Sequence, residues 1–253
     1  MALITLLTDF GLDDTYVGQM KGAILSVVPS ATLVDLTHGV PPQDVQAGAF
    51  LLWCSVEVFP AGTIHLAVVD PGVGSQRRAI AVGSARGDYF IGPDNGLLIP
   101  AVDHLGGRIE AVELTKSEFW RPQPTSTFHG RDVFGPIAGH LANGIPLTQL
   151  GRFITDPIHL SLPVPHGLEG EVMHVDTYGN LITNIVGSTL PTQFQVRVGA
   201  QVIRAATHYE QVPRGELLAL VGSAGLLEIS ARNASADALT GAGRGTPVSV
   251  VPL

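Results

Sequence analysis

Residues 63–78 read Thr63-Ile64-His65-Leu66-Ala67-Val68-Val69-Asp70-Pro71-Gly72-Val73-Gly74-Ser75-Gln76-Arg77-Arg78, an apolar run that ends in a carboxylate and a glycine-rich turn. Such a run, bounded by turn residues, predicts a buried strand over residues 63–69. Asp70 then lies at the carboxyl end of this strand, the edge at which the sheets of α/β proteins bind ligands.

A second polar cluster, Thr127-Phe128-His129-Gly130-Arg131-Asp132, precedes a helix-like segment. Asp, Arg and His side chains together are able to hold and polarise a water molecule, but a turn salt bridge and a helix cap explain them equally simply.

The rest of the first half alternates strand-like and helix-like segments. Strands are predicted over 3–8, 32–36, 63–69, 79–82 and 89–91, and helices over 16–28, 43–58 and 131–142. Strands that alternate with helices indicate βαβ units. The sequence therefore predicts an α/β fold, with a mostly parallel sheet and flanking helices.

The pattern changes after residues 158–170, which contain two prolines and two glycines. Short strands separated by turn residues follow, over 171–175, 181–183, 194–198, 217–221, 226–229 and 248–251. Regularly spaced short strands are typical of a small antiparallel β-barrel or sandwich. We therefore predict an N-terminal α/β domain over 1–160 and a C-terminal antiparallel β-barrel domain over 161–253.

Composition excludes several classes of protein. Of the 253 residues, 45% are hydrophobic, enough for a substantial core, yet no window is apolar for long enough to cross a membrane. The start of the chain lacks the basic region of a signal peptide. A net charge of −8 argues against a nucleic acid as partner. The single cysteine, Cys54, is interpreted as core packing and fits a reducing cytoplasm. We expect a cytoplasmic protein that binds neither nucleic acid nor membranes.

Six motifs, taken in order, carry a family resemblance. They are Thr8-Asp9-Phe10-Gly11 with Asp13-Asp14, Val69-Asp70-Pro71-Gly72-Val73-Gly74, Gly92-Pro93-Asp94-Asn95-Gly96-Leu97-Leu98, Thr127-Phe128-His129-Gly130-Arg131-Asp132, Asp176-Thr177-Tyr178-Gly179-Asn180 and Ala231-Arg232-Asn233-Ala234. Across nearly the whole chain, these resemble the motifs of the S-adenosylmethionine (SAM) hydroxide adenosyltransferases, or SAM hydrolases. The SAM-dependent fluorinating and chlorinating enzymes are relatives of that family.

The resemblance implies an architecture and a reaction. It implies a homotrimer in which SAM lies between the N-terminal domain of one subunit and the C-terminal domain of its neighbour. The implied reaction is a nucleophilic substitution: water or hydroxide attacks C5′ of the ribose and releases adenosine and L-methionine. It implies neither a metal nor a redox cofactor.

By resemblance, Asp70, Arg77 and His129 form the catalytic triad of the hydrolase branch. A carboxylate is able to accept a hydrogen bond from the attacking water, and a guanidinium to donate one to a hydroxide-like oxygen. An imidazole orients the water or takes its proton near neutral pH. Arg78 is an alternative to Arg77, although the offset of seven residues from Asp70 favours Arg77. The sequence leaves open which group is the formal base.

Asp70 also separates the hydrolases from their halogenating relatives. Those enzymes carry Tyr at the positions of Asp70 and His129, and the fluorinating ones carry Ser at the position of Gly130. A carboxylate beside a desolvated halide is unfavourable, because two anions then share one site. Asp70 thus favours water over halide as the nucleophile.

The resemblance assigns further residues to substrate binding, each with a simpler structural alternative. Asp9 would hold the ribose hydroxyls and Asp14 the methionine ammonium; the alternatives are a helix N-terminal acid and a helix cap. Phe128 and Tyr209 would stack on adenine or line the site; the alternative is core packing.

The remaining assignments fall in the second half of the chain. Asp176 would contact the amino-acid part of SAM, Ser223 and Arg232 its carboxylate, and Asn180, Asn233 and Ala234 the adenine edge. Turns and surface charge are the alternatives for Asn180, Ser223 and Arg232.

Three other functions stay open at this point. The first is a SAM- or nucleoside-binding module without turnover, and the second is a SAM-dependent halogenase. The third is a metal-dependent phosphoesterase with His38, Asp9 and His129 as ligands, although no metal-ligand spacing supports it. The presence of Asp70, Arg77 and His129 together favours the hydrolase, since binding alone needs no group that activates water.

Overall fold

The computed structural model describes residues 2–253, which divide into two compact units. The first unit ends at Leu162 and the second begins at Pro163. This division is consistent with the two predicted domains, which stay a prediction. Among the described residues, no helix combines the length and apolar character needed to cross a membrane.

The first unit is built on a mixed sheet of seven strands. These are β1 (Leu3–Thr8), β2 (Thr32–Thr37), β3 (Ile64–Val68), β4 (Ala79–Ser84), β5 (Tyr89–Pro93), β6 (Arg108–Glu113) and β7 (Arg152–Phe153), in the spatial order β2-β1-β3-β5-β4-β6-β7. The first four in that order run parallel, and β4, β6 and β7 add antiparallel pairs. The sequence pattern does not predict β6, because charged residues fill half of its sequence, Arg-Ile-Glu-Ala-Val-Glu.

Helices cover both faces of this sheet, as strands buried on two sides require. They are α1 (Tyr16–Val27), α2 (Val45–Ser55), α3 (Ile99–His104) and α4 (Gly135–Ala142). α1 packs against α4, and α2 packs against α3. Side chains of β1 alternate between the faces: Ile4 and Leu6 join the core formed with α1 and α4, and Leu7 joins the core formed with α2 and α3.

Two helices differ in extent from the prediction. Within residues 43–58, only Val45–Ser55 is α-helical, and Asp44 caps this helix by accepting the backbone N–H of Ala47 at 3.0 Å. The segment predicted as a helix over 131–142 is a π-helical turn over Gly130–Phe134 that continues into α4. Turns of this kind inside helices are frequent at functional sites. His129 directly precedes this one.

The second unit is an antiparallel sheet, as predicted. Its strands are β8 (Glu169–Val175), β9 (Leu181–Val186), β10 (Phe194–Val198), β11 (Gln201–Arg204), β12 (Leu217–Val221), β13 (Leu226–Ala231) and β14 (Pro247–Pro252), and its one α-helix among the described residues is α5 (Ala236–Thr240). Their order is β11-β10-β14-β8-β9-β13-β12. The backbone N–H of Ala206, just after β11, donates to the carbonyl of Ala219 in β12 at 2.8 Å. The two edge strands therefore approach each other, and the sheet is nearly barrel-like.

Candidate active site

Three of the predicted residues, Asp70, Arg77 and His129, meet in the first unit. Asp70 follows β3, Arg77 precedes β4, and His129 precedes the π-helical turn. The Arg77 Nε donates to Oδ1 and Oδ2 of Asp70 at 2.9 and 3.0 Å, and Nη2 also contacts Oδ2. Nη2 lies 2.8 Å from Nδ1 of His129. Arg77 therefore links the carboxylate to the imidazole.

The protonation state of His129 follows from this contact. A guanidinium only donates hydrogen bonds, so Nδ1 of His129 is the acceptor and the neutral ring carries its proton on Nε2. Burial lowers the pKa of His129 below its usual value, and the charge of Arg77 lowers it further, while the carboxylates of Asp70 and Asp132 oppose this. The Asp70 and Arg77 side chains are only 6% and 11% exposed. The imidazole is therefore neutral at neutral pH.

Asp132 anchors the loop that carries His129. It accepts hydrogen bonds from the Thr125 backbone and hydroxyl at 2.9 and 2.7 Å, and from Arg131 Nε at 2.7 Å. Although burial by itself raises the pKa of Asp132, these partners lower it to about 2. The carboxylate is therefore charged at any physiological pH and holds residues 125–132 together.

A cleft of about 230 Å³ is lined by two of the three residues, Asp70 and His129. Its lining includes Asp9, Asp70, Phe128 and His129, as well as Gln43, which the sequence pattern does not indicate. The Gln43 backbone N–H donates to Oδ2 of Asp9 at 2.8 Å, and Gln43 has a φ of 64°, in the left-handed region. No sequence signal marks this role, because it belongs to the backbone and not to the glutamine side chain.

Space is limited at Gly130, which follows His129. A Cβ at Gly130 would lie 3.2 Å from Cζ of Phe10 and 3.3 Å from Cε2 of Phe128. The rings of Phe10, Tyr16 and Phe128 contact one another edge to face, with centroids 5.3 to 6.3 Å apart. Phe10 and Phe128 of this aromatic cluster line the cleft.

The structural alternatives for Asp9 and Asp14 can be compared with the geometry of α1. This helix begins at Tyr16 with Thr15 as its N-cap residue, so neither carboxylate occupies the capping position. Asp9 lines the cleft, whereas Asp14 is exposed to solvent and is not part of the cleft lining.

Arg78 makes different contacts from Arg77. Its Nε donates to Asp94 at 2.7 Å, and its Nη1 donates to Asp156 at 2.8 Å. Adjacent arginines therefore point to different partners, and only Arg77 reaches Asp70.

The residues considered for a metal site have other partners. His38 Nδ1 lies 2.7 Å from the hydroxyl of Thr8, and its Nε2 lies 3.1 Å from Asp35. Over residues 2–253, no three His, Cys, Asp or Glu side chains are grouped so as to hold a metal ion. Cys54 lies within α2, and burial raises the pKa of its thiol to about 12.

The second unit has a pocket of its own, of about 460 Å³. Four predicted residues line it, namely Asn180, Tyr209, Asn233 and Ala234, together with Tyr178 and Ala231. Tyr178 is 78% exposed, so its ring is available to a ligand. Tyr178 belongs to the motif at residues 176–180, but the family resemblance assigns it no role.

Asp176 shapes the turn beneath this pocket. Its Oδ1 accepts the backbone N–H groups of Tyr178 and Asn180, both at 2.9 Å, and its Oδ2 accepts the Asn180 side-chain amide at 2.9 Å. Asp176 thereby holds Tyr178 and Asn180 in place.

Glu228, which the sequence reasoning missed, supports Tyr209. The Tyr209 hydroxyl donates to Oε1 of this buried carboxylate at 3.0 Å, and the Ser230 hydroxyl donates to the same oxygen at 2.6 Å. Burial raises the pKa of Tyr209, and its contact with Glu228 raises it further. An acid within the apolar run of β13, Leu-Leu-Glu-Ile-Ser-Ala, is the signal that points to this position.

Besides Asp176, two further predicted residues of the second unit are not part of the pocket lining. Ser223 is exposed in the turn between β12 and β13. Arg232 donates from Nη1 to the carbonyl of Val212 at 2.9 Å, and its Nη2 lies 3.9 Å from Glu210. The structure therefore does not pair Ser223 with Arg232 around a common anion.

Comparisons with known proteins confirm the family resemblance. The N-terminal domain model of the SAM hydroxide adenosyltransferase family matches residues 4–151, and the C-terminal domain model matches residues 170–249. The chain is 40% identical to a protein from Salinispora tropica called (R)-S-adenosyl-L-methionine hydrolase, over 94% of this chain and 93% of that one. It is 32% identical to a fluorinase from Actinoplanes sp., over 72% of this chain and 71% of that enzyme. The crystal structure of an uncharacterized conserved protein from Thermotoga maritima superposes with a TM-score of 0.92 at 36% identity, covering 98% of this chain and 99% of that one.

Proposed function

Because this chain belongs to the SAM hydroxide adenosyltransferase family, we propose that it is an enzyme that hydrolyses S-adenosyl-L-methionine to adenosine and L-methionine. The observation that supports this proposal most strongly is the contact of Asp70, Arg77 and His129 beside the cleft that contains Asp9. A protein that only binds a nucleoside has no need for a buried carboxylate, guanidinium and imidazole in mutual contact.

The chemistry of the substrate explains these residue types. In the proposed step, a bond forms between the water oxygen and C5′ while the C5′–S bond breaks, and its electron pair remains on the sulfur of methionine. The sulfonium is a good leaving group and needs no acid. The protein must instead hold a weakly nucleophilic water in line with the C5′–S bond and exclude competing solvent.

The protonation state of the imidazole divides the roles. With Nδ1 accepting from Arg77, His129 offers an Nε2–H group that orients the water oxygen. Asp70 is then the group of the three that accepts a proton from the water, and Arg77 stabilises negative charge on the developing hydroxide. This assignment makes Asp70 the acceptor of the proton and His129 a positioning donor.

Two further regions would bind the rest of the substrate. Asp9 holds the ribose hydroxyls, since one carboxylate is able to accept hydrogen bonds from two neighbouring hydroxyl groups. The pocket of the second unit takes adenine between Tyr178 and Tyr209, because exposed aromatic rings stack readily on a base.

The complete site is proposed to form between subunits of a homotrimer, the first unit of one subunit facing the second unit of its neighbour. Complementation tests this. Asp70→Asn subunits and Tyr209→Ala subunits, each inactive alone, are co-expressed with different tags and the mixed oligomers are purified. Mixed oligomers recover activity if sites form between subunits, and recover none if each site lies within one chain.

No metal or redox cofactor is part of the proposed reaction, because departure of a sulfonium needs neither a Lewis acid nor an electron carrier. Turnover is therefore expected to persist in EDTA. The cytoplasm, where SAM is available and thiols stay reduced, is the proposed location.

The first experiment is incubation with SAM in metal-free buffer containing EDTA and H₂¹⁸O. The R and S epimers at sulfur are supplied separately, since the relative from Salinispora tropica is named for the R form. Adenosine with one ¹⁸O at its 5′ position, together with methionine, supports the proposal. Unchanged SAM favours a binding module, and a 5′-halogenated nucleoside in added chloride or fluoride favours a halogenase.

A further inference from the structure

We propose that Asp94 and Asn95, adjacent residues just after β5, are positioning residues that set the separation of Asp70 and Arg77. This inference rests on the proposed function for its catalytic meaning, but its structural part stands on contacts within the first unit. The turn Pro93-Asp94-Asn95-Gly96 has no other role in the site described above.

Asn95 holds the end of β3. The pairing of β3 with β5 ends at Leu66 and Ile91, so the ladder provides no β5 partner for the residues that follow. The side-chain amide of Asn95 donates to the carbonyl of Val69 at 2.8 Å, and its Oδ1 accepts the backbone N–H of Leu97 at 3.2 Å. Val69 immediately precedes Asp70, so this amide fixes the peptide from which the Asp70 side chain projects.

Asp94 holds the start of β4 in the same way. Its Oδ2 accepts from Nε of Arg78 at 2.7 Å, its Oδ1 accepts the backbone N–H of Ile158 at 2.7 Å, and its own backbone N–H donates to the Arg78 carbonyl at 2.9 Å. The Asp94 side chain is 1% exposed. A buried, fully hydrogen-bonded ion pair of this kind fixes Arg78, the residue next to Arg77.

The turn is itself held firmly. Gly96 has a φ of +94°, and a Cβ there would lie 2.5 Å from Cβ of Leu160, so the turn lies tightly against the segment that also supplies Ile158. By contrast, most of the loop 71–76 that joins Asp70 to Arg77 is exposed. The side chains of Asp94 and Asn95 therefore hold, from the protein interior, the residues that adjoin Arg77 and Asp70 in the chain. The loop that joins Asp70 to Arg77 faces solvent.

The test compares two variants with two matched controls. Asn95→Ala is paired with Asn143→Ala, because the Asn143 amide also donates to a backbone carbonyl, that of Val27, at 2.9 Å. Asp94→Asn is paired with Asp88→Asn, because Asp88 is equally buried and accepts a hydrogen bond from Arg86 Nε at 2.7 Å. Asp88 directly precedes β5, whereas Asp94 directly follows it. Each pair removes the same kind of interaction at a different place.

The expected result is a split between kcat and KM. A misplacement of about 1 Å costs on the order of 100-fold in rate, so we expect Asn95→Ala and Asp94→Asn to lower kcat by at least about tenfold, with little change in KM. Both controls are expected to keep kcat while losing comparable stability. Asn95→Ser, whose side chain is too short to reach Val69, is expected to behave as Asn95→Ala does, and it serves if the alanine variant fails to fold.

A second measurement does not depend on turnover. The ring protons of His129, assigned by comparison with His129→Gln, are titrated by NMR. Displacement of Arg77 removes a positive charge from Nδ1, so the pKa of His129 is expected to rise in Asp94→Asn. Displacement of Asp70 removes a negative charge that raises this pKa, so it is expected to fall in Asn95→Ala, and it should stay unchanged in the controls. If the wild-type protein does not turn over SAM, the proposed function fails and the titration still tests the positioning. Wild-type turnover with variant kcat values and His129 titrations equal to those of the controls would overturn the inference.

Discussion

Replacing Asp70 by Asn removes one negative charge from the most strongly connected pair in the candidate site. Asp70 and Arg77 are joined through two guanidinium nitrogens, and their side chains are only 6% and 11% exposed. Removing one partner of such a buried pair costs about 3–5 kcal/mol, because the other charge is left without compensation. For a chain of this size, each kcal/mol lowers Tm by roughly 2–4 °C, so Tm is expected to fall by about 6–20 °C.

The same substitution removes the proposed proton acceptor. Loss of general base catalysis lowers rates by roughly 10²–10⁴-fold, so kcat is expected to fall by that factor while the dissociation constant for SAM stays within about threefold. Asp70 also opposes the lowering of the pKa of His129. Its removal therefore lowers that pKa further and moves the acid limb of any residual activity to lower pH.

Thermal unfolding, calorimetric binding of SAM and chromatography of adenosine measure these effects. Asp88→Asn is the control, because Asp88 is fully buried and paired with Arg86 but lies outside the site. Both variants should lose stability, and only Asp70→Asn should lose turnover. If Asp70→Asn retains kcat within about threefold of the wild-type value in a folded protein, the reasoning about the carboxylate is wrong.

Three other changes are each expected to shift a measurable quantity in a definite direction. Arg77→Met removes the charge that lowers the pKa of His129, so that pKa should rise in an NMR titration; an unchanged value contradicts the contact at Nδ1. Burial lowers the pKa of His65 from 6.5 to about 4, so its neutral form is favoured on folding. Unfolding free energy should therefore fall by about 3 kcal/mol as the pH drops from 6.5 to about 4, in urea titrations, and His65→Gln should lack this part of the loss. Tyr209→Phe removes the hydrogen bond to Glu228 that orients the ring, and should weaken adenosine binding roughly 2- to 10-fold by calorimetry with kcat preserved; unaltered affinity argues against adenine at this pocket.

The local pattern of apolar and turn residues in the sequence predicts the main features of the fold. The buried runs of β1 and β3 predict parallel strands, because both faces of such strands are covered and no polar alternation is needed. The helix predicted over 16–28 is α1, which ends at Val27, shortly before a proline that cannot continue a helix. The strands β6, β7 and β11 escape prediction because they are short or rich in charge and depend on partners that are distant along the chain.

The residue types of the proposed catalytic trio, and the order of their motifs, are visible in the sequence by itself, and they identify the family. Residue type does not separate Arg77 from the adjacent Arg78, and only the offset from Asp70 in the family pattern favours Arg77. The structure separates them, since Arg77 reaches Asp70 and Arg78 reaches Asp94. Successive residues along an extended segment point to opposite sides, so which one meets the carboxylate depends on how the loop enters β4.

The supporting contacts were decided only by the tertiary structure. Arg77 and His129 are 52 residues apart, and Asn95 is 26 residues from the carbonyl it holds. The Gln43 contact to Asp9 uses a backbone N–H and leaves no trace in residue type. Periodicity along a chain reports which face of an element is buried, whereas a hydrogen bond depends on the distance and direction between atoms brought together by packing. The sequence therefore determined the chemical groups available to this protein, and packing determined which of them meet.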